Sequence, residues 1–101
     1  MTIPTGYTSR EVTVLVTYMT PGGEWGLPDH LCVMSISPAD ASVKTAVEAG
    51  VVRGHFLKTW PGPFGAVWTG KKRYEIRVND RDYRVGDVLV LQEFVPEETS
   101  R

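Results

Sequence analysis

From Glu11 to Met19 the chain alternates without a break. Val12, Val14, Val16 and Tyr18 fall on one side, and Thr13, Leu15, Thr17 and Met19 on the other. A period of two marks a β-strand, and β-branched bulk on both sides strengthens the assignment. Thr20 to Asp29 then brings three glycines and two prolines, which cannot extend a central ladder, so a loop follows. It carries Trp25, expected either to close one end of the fold or to offer a stacking face. Leu31 to Ile36 reads as a second strand paired with the first. Ser37 as N-cap, Pro38 at the first helical position and Gly50 as a stop predict a helix over Pro38 to Ala49. Its Lys44 and Glu48 stand four apart, and its narrow alanine-rich stripe suits a connector.

Val51 to Lys58 reads as the next strand, leading into the proline- and glycine-rich Trp60 to Gly65. A turn is expected there, with one helical turn through Ala66, Val67 and Trp68. Asp87 to Val95 closes the pattern as a strand, and Pro96 to Arg101 is a polar tail. The whole predicts a mainly β (α+β) fold with one or two short helices.

Between the last two strands lies Thr69 to Asp87, where charge, glycine and strand periodicity converge. Gly70 ends the aromatic run and permits a turn with positive φ. From Arg73 to Val78 the alternation is strict: Tyr74, Ile76 and Val78 are expected in the core, with Arg73, Glu75 and Arg77 on a charged outer face. A carboxylate between two guanidiniums, beside Lys72, can bind a polar ligand through paired donors and an acceptor. The same pattern also suits a solvated ladder of ion pairs. Asn79 to Asp82 has the composition of a tight turn, so Asp80, Asp82 and Asp87 are read as turn formers rather than as an acid/base pair.

Composition narrows the classes. The 101 residues suit one domain with one core, and a net charge of −1 argues against coating duplex nucleic acid by bulk electrostatics. Lys71 to Arg84 nevertheless holds six basic residues against three acidic ones, a local patch suited to a short or single-stranded anionic ligand. The single cysteine, Cys32, sits in an apolar run and is expected to pack as a small core side chain. With two histidines scattered along the chain, no metal-ligand spacing emerges, and neither a metal nor another cofactor is expected. No apolar run approaches a membrane span, and Met1 to Gly6 lacks a signal-peptide core, so a cytoplasmic protein without membrane contact is expected.

The pattern Gly70-x-Lys72-x-x-Glu75-x-Arg77, followed by Val85-Gly86-Asp87 and a further strand, resembles the ASCH family of small PUA-like β-barrels. His55, Leu57 and Lys58, running into Thr59-Trp60-Pro61, resemble the segment that precedes this motif in a short bacterial and phage subfamily. The likeness covers Gly54 to Val95. It implies a PUA-like barrel that binds RNA or a nucleotide in a cleft beside the motif, with Lys58, Trp60, Gly70, Lys72, Glu75 and Arg77 as ligand contacts. Some relatives resemble amidohydrolases acting on N4-acylated cytidine. That implies the alternative of a small hydrolase using Lys72 and Glu75, although this chain has Glu75 where those enzymes carry threonine. Their second carboxylate has only Glu24 as a candidate counterpart. A protein-interaction domain is the third reading.

The order of segments departs from the family. Residues 6–36 look like its C-terminal half and residues 54–98 like its N-terminal half, joined by a connector over 37–53, so the chain looks circularly permuted. Thr-Ser-Arg occurs at both Thr8 to Arg10 and Thr99 to Arg101, near where the new ends should meet. Permutation requires the strand ending near Val95 to run antiparallel beside the one starting near Glu11.

Overall fold

A computed structural model describes residues 5–96 as a curled, half-barrel sheet with two short helices. The strands are β1 (Gly6–Thr20), β2 (Leu31–Pro38), β3 (Gly54–Thr59), β4 (Tyr74–Val78) and β5 (Val88–Val95), and the helices are α1 (Ala41–Glu48) and α2 (Pro61–Trp68). Sheet order is β3-β5-β1-β2-β4. Only the β3–β5 pair is parallel. None of the described helices is long and apolar enough to cross a membrane.

The pairing required between the two ends of the chain is present: β5 and β1 run antiparallel from Gly6 opposite Val95 to Leu15 opposite Val88. Residues 97–101, with the second Thr-Ser-Arg, and residues 1–4 lie outside the described part. β5, flanked by β3 and β1, is buried on both faces over Val88 to Leu91. Leu89 and Leu91 point into a core shared with Val14, Val16, Met34, Ile36 and Phe64, and Cys32 packs there as expected. On the opposite face α1 lies against β5 and β1.

Several elements differ from the sequence expectation, each for a local reason. Helix α1 begins later than Pro38: Ser37 and Pro38 continue β2 opposite Leu15 and Val14, and the N-cap is Asp40, whose carboxylate accepts the Ser42 N–H. β1 is longer than Glu11 to Met19, and its alternation does not survive to the end. A register shift between Val16 and Tyr18 turns Tyr18 outward and brings Met19 against the core. α2 is a full two-turn helix with Pro61 in its first turn, and its buried Phe64 and Val67 plug the half-barrel. Trp25 does not close an end; its side chain is 93% exposed.

The largest correction concerns β4. Tyr74, Ile76 and Val78 are each about half exposed, whereas Glu75 is 2% exposed. The predicted faces are reversed. β4 is an edge strand paired only with β2, so its outer residues extend an apolar row across the sheet, with Ile76 opposite Val33 and Val78 opposite Leu31. Its inner residues meet the mouth of the half-barrel, where polar partners are available.

Candidate functional site

The two edge strands, β3 and β4, face each other across the open side of the half-barrel, and side chains rather than a backbone ladder join them. The Arg77 guanidinium donates from Nη1 to the Lys58 carbonyl at 3.1 Å and from Nη2 to Thr59 Oγ1 at 2.9 Å. Further along the seam, Arg81 Nη1 donates to the Phe56 carbonyl at 3.3 Å.

Glu75 fixes the geometry from beneath. Its Oε2 accepts from Arg77 Nε at 3.0 Å, and its Oε1 accepts from Lys72 Nζ at 3.3 Å. Both cations are mostly buried themselves, at 21% and 23% side-chain exposure. A buried carboxylate stabilises its surroundings only when such partners compensate its lost hydration. Gly70, at φ +78°, makes the trio possible by turning the chain off the end of α2. The Lys72 N–H then donates to the Ala66 carbonyl, tying the lysine to the helix.

Above this clamp lies a cleft of about 280 Å³ lined by Lys58, Thr59, Trp60, Pro63, Lys72, Glu75, Ile76 and Arg77. Five of the six residues expected to contact a ligand therefore meet in one place. Trp60, the N-cap of α2, is 59% exposed and faces solvent with half-exposed Ile76. Among the described residues, Arg77 uses three of its five side-chain N–H groups internally. Lys58 contributes differently than expected: its ammonium lies 4.2 Å from the Phe94 ring centroid while its carbonyl holds Arg77.

Gly70, the sixth residue, lines a separate cleft of about 340 Å³ on the other side of Lys72, between α2 and the β1–β2 sheet. Its floor is Val12, Val14, Ile36 and Val67, with half-exposed Trp68 as a wall. Glu24 lies in neither. It lines a hollow on the β1–β2 loop with Trp25 and Leu27.

Two further buried carboxylates emerge only from the structure. Glu93, in register with Thr59 on the neighbouring strand, accepts from Thr8 Oγ1 at 2.7 Å and from Arg10 Nε and Nη2 at 2.9 Å. Those hydrogen bonds, Arg10 first, hold its carboxyl below the usual range. Asp87 lies at the opposite end of the seam. It accepts from Arg53 Nε at 3.0 Å, His55 Nε2 at 2.9 Å and the Arg84 N–H at 3.0 Å. It is thus the centre of a buried ion-pair knot and not only a turn former. No group of acidic, histidine or cysteine side chains able to hold a metal occurs among the described residues.

No curated protein and no solved structure matches the chain. Residues 54–100, which carry α2, the Lys72–Glu75–Arg77 clamp and Asp87, are similar to a family described as a domain of unknown function, DUF3850.

Proposed function

We propose that the chain binds RNA or a nucleotide in the seam cleft, with a base against Trp60 and Ile76 and an anionic or carbonyl group on Lys72 and Arg77. The observation carrying this reading is the convergence of an exposed aromatic ring and two pre-positioned cations on one small cleft. Among the described ionic partners of the clamp there are two cations and one carboxylate, so the site is cationic although the chain is slightly acidic. A volume near 280 Å³ suits a nucleoside or mononucleotide unit rather than a duplex. Glu75, being covered by its partners, acts as a positioning residue; ligand contact falls to Lys72, Arg77 and Trp60.

The hydrolase alternative draws less support. Glu93 is taken by Arg10 and Thr8, and Glu24 lies in a different hollow, so among the described residues the cleft offers no second carboxylate for proton transfer. The test is a calorimetric titration with cytidine monophosphate and with a short single-stranded RNA, comparing wild type with Trp60→Ala. Stacking on an aromatic side chain contributes ~1–3 kcal/mol per base, so affinity should fall about five- to 150-fold while the fold is retained. Equal affinity in the two proteins refutes stacking on Trp60.

Membership of the ASCH family and circular permutation are part of the same proposal. Supporting them are the motif residues, the antiparallel pairing of β5 with β1, and a connector helix with no fully buried side chain. Joining the present ends through residues 97–101 and 1–4 and reopening the chain before Gly54 should give a protein with the same far-ultraviolet spectrum and cooperative unfolding. An unfolded product would count against the permutation.

A further inference from the structure

We infer that the apolar cleft behind Lys72 is a second binding site, for a small organic anion with a flat apolar body and a single carboxylate. The floor of Val12, Val14, Ile36 and Val67 offers no hydrogen-bonding side chain, and the half-exposed Trp68 indole forms a wall. Such a concave apolar surface with a few polar groups at its edge is the ordinary form of a small-molecule site.

The rim determines the charge of the ligand. Among the described residues, Lys72 and Arg73 are the charged ones lining the cleft, with no acidic side chain beside them. Lys72 is held by Glu75, but Arg73 is exposed and makes no side-chain hydrogen bond or ion pair among the described residues. An uncompensated guanidinium at the edge of an apolar cleft complements a carboxylate whose hydrocarbon body lies inside. This site is independent of the nucleotide reading; the two clefts share Lys72 alone among their lining residues.

The test follows methyl and indole resonances by NMR while 2-naphthoate or its uncharged analogue 2-naphthamide is added at up to millimolar concentration. Naphthoate should shift the methyls of Val12, Val14 and Ile36 and the Trp68 indole, and should bind more tightly than the amide. Arg73→Glu, a change at an exposed position, should weaken naphthoate roughly five- to tenfold and leave the amide unaffected. Ser37→Trp, which narrows the mouth from an exposed position, should abolish binding of both. Shifts confined to other residues, equal affinity for the acid and the amide, or no shift would each overturn the inference. Cytidine monophosphate added to the same sample reads the seam cleft separately, so either site can fail alone.

Discussion

Glu75→Ala is expected to destabilise the protein by about 3–5 kcal/mol, because removing one member of a buried ionic cluster leaves the others desolvated and uncompensated. Glu75 is 2% exposed, and its loss strands both Lys72 and Arg77, which are themselves mostly buried. For a domain of this size the midpoint of thermal unfolding should drop by roughly 10–25 °C. Glu75→Gln should cost less, since the amide oxygen can still accept from Arg77 while the amide nitrogen faces Lys72 unfavourably. Calorimetry on the three proteins checks the order. An alanine variant as stable as wild type would show that the buried Lys72–Glu75–Arg77 cluster adds no net stability.

The second large effect concerns acid stability. Burial alone pushes the Asp87 carboxyl up, but hydrogen bonds from His55, Arg53 and the Arg84 N–H together outweigh it and hold the group below its ordinary value. A carboxyl whose folded-state value is depressed contributes stability that is fully present above the unfolded value, near 4. That contribution is lost as pH falls through the lower folded value. Wild-type stability should therefore decline below about pH 4, with Glu93 and Glu11, also depressed, adding to the slope. Asp87→Asn should cost about 2–4 kcal/mol at neutral pH and show a shallower decline in acid, because one titrating group has been removed. Urea unfolding between pH 2 and 7 measures both. Parallel pH profiles for the two proteins would exclude Asp87 as a source of acid sensitivity.

Much of the architecture was legible from local pattern. The β2 and β5 strands, β1 as far as Val16, the breaker-rich loops and the Gly70 turn each follow from short-range chemistry, and the structure has them. Where expectation and structure part, long-range geometry decides. Alternation in β4 correctly separated Tyr74, Ile76 and Val78 from Glu75 and Arg77. Polarity then assigned the faces the wrong way round, because the partners of Glu75 come from the turn after α2 and from its own strand, and those of Arg77 from β3.

The same holds for the carboxylates. Glu93 looks like an ordinary strand residue, yet Arg10, eighty-three positions away, completes it. Asp87 ends a turn in sequence terms and collects Arg53 and His55 only through the parallel β3–β5 pairing. Residues of the candidate site were recognisable as a set, through the spacing of Gly70, Lys72, Glu75 and Arg77. Their division between two clefts was not, since it depends on α2 and its turn standing between them.

The most direct measurement is a titration of labelled protein with cytidine monophosphate, followed through backbone amide and indole resonances. Saturable shifts are expected at Thr59, Trp60, Ile76 and Arg77, including the Trp60 indole, with the β1–β2 loop around Trp25 unmoved. Saturable shifts centred on Trp25, or no shifts at millimolar nucleotide, would rule out the seam cleft as the nucleotide site.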